Sequence, residues 1–161
     1  MAGGREARSL GRDDSGVPML TQPLKGLVLL FLCGALVEDA TIFVLAWRLP
    51  ELWFRWFHHA QPAGLETALL RRAAGQWAAF AIVQAIALLR WRVRPLWLVV
   101  VAGLRASDLL TDLSYIVAVP SLTTLGWALL VPPAFLNAAF IVVMMAAWRQ
   151  VAGHDDARPI R

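Results

Sequence analysis

The sequence predicts an all-α integral membrane bundle of four transmembrane helices, with a short interfacial segment between helices 1 and 2. Three observations carry this. Of the 161 residues, 59% are hydrophobic and only 16% charged, whereas a soluble domain carries about a quarter of its residues as Asp, Glu, Lys or Arg. Four apolar runs are long enough to cross a bilayer core, which takes about 20 residues. Tryptophans and basic residues collect at the ends of those runs, where headgroups favour both.

Taken in order, residues 1–24 are rich in Gly, Arg, Asp, Ser and Pro without periodicity, and read as a disordered cytoplasmic tail. The transmembrane domain covers residues 25–148, with spans at about 26–48, 68–91, 95–119 and 124–148. The first span stops before Pro50. It is too long for a signal peptide, and its two central acids replace any small-residue cleavage site. The stretch from Glu51 to His59 is too short to span and mixes aromatic with basic residues, so it reads as an interfacial helix or re-entrant turn. Gln61-Pro62-Ala63-Gly64 is a turn signal, and Arg92-Val93-Arg94 a tight turn. Pro95 opens the third span, at a position where a missing N–H costs nothing, and Pro120 closes it. Pro132-Pro133 in the fourth span frees carbonyls one turn earlier, so a kink is expected. Residues 149–161 read as a second cytoplasmic tail.

Orientation follows from the distribution of Lys and Arg. Ten basic residues flank one side (Arg5, Arg8, Arg12, Lys25, Arg90, Arg92, Arg94, Arg149, Arg158 and Arg161), and the opposite loops hold two, Arg48 and Arg55. The positive-inside rule then puts both termini in the cytoplasm of a multi-pass protein of the plasma or inner membrane. The same distribution argues against nucleic acid as a partner. The basic residues are short flanks of apolar segments and form no basic face on a soluble module.

Charge inside the spans is the informative feature. Glu38 and Asp39 lie near the middle of the first span; Arg105, Asp108 and Asp112 lie in the middle and outer half of the third. Insertion scales assign about 2.5–3.5 kcal/mol to each such residue at a helix centre, so the third span carries a cost on the order of 9 kcal/mol. Its twelve Leu, Ile and Val residues return about 5 or 6 kcal/mol on that scale. This helix needs partners. At about 100° per residue, Arg105, Asp108, Asp112 and Tyr115 share an arc of roughly 80°. Arg72, Gly75, Gln76 and Ala79 share one face of the second span, and Asn137 sits at mid-depth in the fourth. Turning these faces inward gives a polar, partly ionised interior that opens toward the outer side.

Such ion pairs can simply hold a bundle together. Intramembrane ionisable groups more often mark a functional site, while buried ion pairs stabilise weakly. Glu38, Asp39, Arg72, Gln76, Arg105, Asp108, Asp112, Tyr115 and Asn137 are therefore the candidate ligand-binding or proton-relay residues. No catalytic set and no cofactor emerges. Cys33 is the single cysteine, no histidine lies within a span, and no phosphate loop or nucleophile–base pattern is present. His58 and His59 are weak metal candidates, because adjacent side chains point apart on a helix.

Arg72-Ala73-Ala74-Gly75 opening a span, the aromatic segment before it and four short helices overall resemble the broad DoxX-like group over roughly residues 25–148. That resemblance implies a four-helix membrane bundle and, for some members, a link to quinone-coupled redox complexes. The chain departs from the group in lacking a first-span histidine and in carrying Glu38-Asp39, so no catalytic residue is carried over.

The expected function is a non-enzymatic membrane subunit or binding protein whose polar cavity holds a lipid-like, quinone-like or cationic small molecule, or a charged stretch of a membrane protein partner. The alternatives are a proton-coupled transporter or ion pathway, which at four helices needs a homo-oligomer, and a membrane enzyme or redox-complex subunit acting on a lipid-soluble substrate.

Overall fold

The computed structural model describes residues 20–119 and 121–155. These form five helices and, among the described residues, no strand: α1 Gln22–Arg48, α2 Pro50–His58, α3 Gly64–Arg90, α4 Leu96–Ala118 and α5 Thr124–Asp155. The helix starts follow from local chemistry. Pro23 sits in the first turn of α1, where its missing donor is harmless. The Glu66 side chain reaches back to accept from the Ala63 N–H at 2.7 Å and caps the start of α3. Between α3 and α4 the chain turns within a few residues, with the Arg94 N–H donating to the Arg90 carbonyl at 2.8 Å.

Three boundaries differ from expectation, one of them the start of α3 at Gly64, ahead of the expected 68 and inside the stretch read as a turn. Helix α1 begins at Gln22, inside the stretch read as tail, and α5 continues to Asp155, beyond the expected end at 148. At these two ends the helix continues past the hydrophobic segment, with Pro23 in a first-turn position that tolerates it and Arg149, Gln150 and Ala152 favouring helix. The other expected tail residues, 1–19 and 156–161, lie outside the described residues. Pro132 and Pro133 are accommodated within the continuous α5 helix.

The long helices pack as a ring. α1 runs along α3 and α4 along α5, with lighter contacts closing α1 to α5 and α3 to α4. Among the described residues, α1 and α4 make no close backbone approach and stand diagonally opposite. Each helix buries one seam at spacings of three, four or seven residues: Val28, Leu32, Ala35, Asp39 and Ala46 on α1; Leu98, Val101, Ala102, Arg105 and Asp108 on α4. Alanines recur in these seams, including Ala74 and Ala87 on α3 and Ala134 and Ala147 on α5. Small residues allow the close helix approach that supports association where no hydrophobic driving force acts. A larger apolar cluster (Leu32, Leu98, Val101, Phe140 and Met144 among others) fills one end of the bundle. A second, around Ala46, Trp53, Phe57, Leu70 and Ala74, fills the other.

Helix α2 lies over that second end, in contact with α1, α3 and α5. Its Trp53 stacks on Phe57 and packs against Trp77, with ring centroids 4.4 and 5.4 Å apart. Its carbonyl end docks on the start of α5. The Thr123 N–H donates to the Phe57 carbonyl at 2.9 Å, and the Thr123 hydroxyl donates to the Trp56 carbonyl. The Thr123 Oγ1 also accepts from the Gly126 N–H at 2.7 Å, capping α5.

Three helices (α1, α3 and the Thr124–Ala152 part of α5) are long and apolar enough to cross a membrane, which marks the chain as an integral membrane protein. In α4, every 18-residue stretch contains Arg105, Asp108 and Asp112.

Candidate functional site

The seams that build the bundle also build the site. Each of the four long helices places a polar residue in its buried seam at the same depth: Asp39 on α1, Gln84 on α3, Arg105 and Asp108 on α4, and Asn137 on α5. Arg105, only 1% exposed, is the hub. Its Nη2 donates to Asp39 Oδ2, which joins the diagonal pair α4 and α1. Its Nη1 donates to Asp108 Oδ2 at 3.0 Å and to Asn137 Oδ1 at 3.3 Å. Asn137 closes the triangle by donating from Nδ2 to Asp108 Oδ2 at 3.1 Å. Gln84 Nε2 donates to Asp39 Oδ2 at 2.7 Å. The guanidinium also lies 5.8 Å from the centre of the Phe140 ring, a cation–π contact.

One guanidinium is thus held by two carboxylates and one amide, a second amide (Gln84) braces Asp39, and the network draws on four helices. Charge-assisted hydrogen bonds of this kind are roughly twice as strong as neutral ones, and their strength rises where the dielectric is low. Satisfaction is incomplete, however. Asp39 Oδ1, Gln84 Oε1 and Arg105 Nε are buried without a hydrogen-bond partner among the described residues.

Two further carboxylates flank the hub. Glu38 and Asp112 are half-buried and make no hydrogen bond or ion pair among the described residues. Both lie within electrostatic reach of Arg105 and Asp108. Four acids therefore surround one cation, and the two without partners lie at its edge.

Tyr115 extends the α4 stripe beyond Asp112. Its hydroxyl meets His58 Nε2 of α2 at 2.5 Å, with the rings edge-to-face at 5.9 Å. The polar line thus runs along one face of α4, from Arg105 through Asp108 and Asp112 to Tyr115, and ends on a histidine under the α2 cover. Burial holds the His58 pKa below its ordinary 6.5, while the Ser121 backbone and Glu66 act the other way. His59 is exposed, with a left-handed backbone (φ 50°) that ends α2. Among the described residues, no group of three His, Cys, Asp or Glu side chains could hold a metal ion.

The structure does not bring every expected residue inward. Arg72 and Gln76 are exposed, as are Gly75 and Ala79. The reason is the phase of α3. Its buried seam is Leu70, Ala74, Phe80, Gln84 and Ala87, and at about 100° per residue Arg72 falls on the opposite side. The inward amide of α3 is Gln84, which the sequence reading missed. Its signal was available as a glutamine in register with Leu70, Ala74 and Ala87. Cys33 is exposed, away from the site.

No family model, characterised protein or solved structure matches the chain.

Proposed function

We propose that the chain is a four-span, non-enzymatic membrane binding protein or subunit, which takes the cationic or hydrogen-bonding group of a membrane-soluble molecule, or of a partner helix, at Glu38 and Asp112. The observation that carries this is two half-buried carboxylates without a protein partner beside a hub whose guanidinium is already paired. Unpaired acids are costly within the bilayer and are characteristic of ligand and ion sites. The Arg105 network acts as the rigid seat and the flanking acids as the variable part.

That α4 also spans, as the third of four, is supported by its outward face. Its charges are turned inward, while Leu96, Leu110, Leu113 and Val117 are exposed, Val117 at 87%. Such a helix suits lipid on one side and the charged hub on the other. Basic residues also divide between the two ends of the bundle. Among the described residues, Arg48, Arg55, Arg71 and Arg72 lie at the α2 end and Lys25, Arg90, Arg92, Arg94 and Arg149 at the other; the sequences that flank the bundle carry five further arginines. This supports an orientation with both termini cytoplasmic.

Native mass spectrometry of the gently extracted protein tests the binding role. Wild type should retain a small molecule or partner that Glu38→Gln and Asp112→Asn each lose, with the folded mass and helicity unchanged. Retention of nothing, or equal retention by all three, would overturn it.

The contact between Tyr115 and His58 favours a second reading, a proton pathway along the α4 stripe. In liposomes this reading expects a proton flux that Asp108→Asn abolishes.

A further inference from the structure

At the α2 end, outside the Arg105 hub, an open cleft of about 350 Å³ is lined by Arg48, Leu49, Pro50, Glu51, Leu52, Arg55 and Arg71. Three guanidiniums from three helices share its wall with a single carboxylate. Arg48 ends α1, Arg55 lies on α2, and Arg71 lies in the first two turns of α3. Arg71 is further fixed by its Nε donating to the Trp47 backbone carbonyl at 3.4 Å, which leaves its terminal nitrogens for the cleft. Among the described residues, neither Arg48 nor Arg55 forms a salt bridge.

Converging guanidiniums have one common use. Their planar donor forks match the oxygens of a phosphate, often two at a time. The volume lies at the lower end of the range for small-molecule sites, about 300–1,000 Å³, and suits a headgroup-sized anion. The position fits as well. The exposed Trp47 and Trp56 lie on the same end of the bundle, and amphipathic indoles sit at headgroup level. The opening turn of α2, with the positive end of its helix dipole, also borders the cleft.

We infer that this cleft is a binding site for a phosphate-bearing anion, either the headgroup of an anionic phospholipid or a soluble phosphate ester. It is independent of the acids at the hub, so either site can fail without the other.

The test uses the full-length protein in nanodiscs of phosphatidylcholine with and without phosphatidylglycerol, with retained lipid read by native mass spectrometry. In a parallel arm, glycerol 3-phosphate is titrated onto protein in phosphatidylcholine alone, with intrinsic tryptophan fluorescence as the readout. The lipid source predicts preferential retention of phosphatidylglycerol; the soluble source predicts saturable binding of glycerol 3-phosphate. In either case Arg55→Gln/Arg71→Gln should weaken binding by about tenfold or more. Arg92→Gln/Arg94→Gln, at the other end, should leave it unchanged. Glu51→Gln removes the cleft's only carboxylate and should tighten binding, which keeps the test decisive even if the double-arginine variant fails to fold. No phosphatidylglycerol preference together with no glycerol 3-phosphate binding would overturn the inference. So would equal losses in the two double variants, or Glu51→Gln without effect.

Discussion

Arg105 is the residue on which the interior depends, because among the described residues it is the one cation beside four acids. Asp39 reaches it from the diagonal helix and is itself 1% exposed. Removing one partner of a buried pair leaves the other charge uncompensated, which typically costs about 3–5 kcal/mol. Arg105→Met should therefore lower the thermal unfolding midpoint sharply in detergent. Adding Asp39→Asn should recover part of the loss, because it removes the stranded charge. If the two changes simply add, Arg105 and Asp39 are not coupled. A second residue-scale consequence concerns His58. Its folded pKa is depressed below 6.5 by burial, so the unfolded chain binds the proton more readily. The resulting stability is fully present above the unfolded value and is lost as the pH falls through the folded one. Unfolding midpoints measured across that acid range should fall for wild type and fall less for His58→Gln.

Among the elements, α2 owes its position to the first turn of α5 as much as to its aromatic face. A Cβ at Gly126 would sit 3.0 Å from the Phe57 carbonyl oxygen and 3.2 Å from the Phe57 Cα. Both are backbone atoms and cannot swing aside. Gly126→Ala should force α2 and α5 apart by a few tenths of an ångström and cost about 1–3 kcal/mol, the usual range for overpacking, with faster proteolysis in the segment joining α2 to α3. An unchanged midpoint and cleavage rate would show that the two helices separate freely. Legibility differs between elements for the same physical reason. Asp39, Arg105, Asp108 and Asn137 stand out in sequence because polar groups in apolar runs must find partners at their own depth. Gln84 did not stand out, because its inward phase is set by the α3 seam and no charge marks its face of the helix. Arg72 and Gln76 read as inward from their shared helical face and matching depth, and the α3 seam turns that face outward. The docking of Thr123 on Trp56 and Phe57 joins backbone groups more than sixty residues apart, and no local pattern announces it. The arginine cleft likewise exists only once α1, α2 and α3 meet.

At the scale of the whole molecule, apolar seams bring neighbouring helices together and the polar hub ties the diagonal pair. α1 and α4 have no close backbone contact and are joined across the centre by the Arg105–Asp39 pair. Among the described residues, three helices are apolar enough to span alone; on the proposed four-span reading α4 crosses with them, carried by the hub. Labelling with a membrane-impermeant maleimide tests this most directly. In a Cys33→Ser background, single cysteines replace Val93 between α3 and α4, and Ser121 between α4 and α5, both of which are exposed. The account predicts labelling from opposite sides of the membrane, with Ser121→Cys reached from outside and Val93→Cys only after permeabilisation. Labelling of both from the same side would mean that α4 does not cross, and would contradict it.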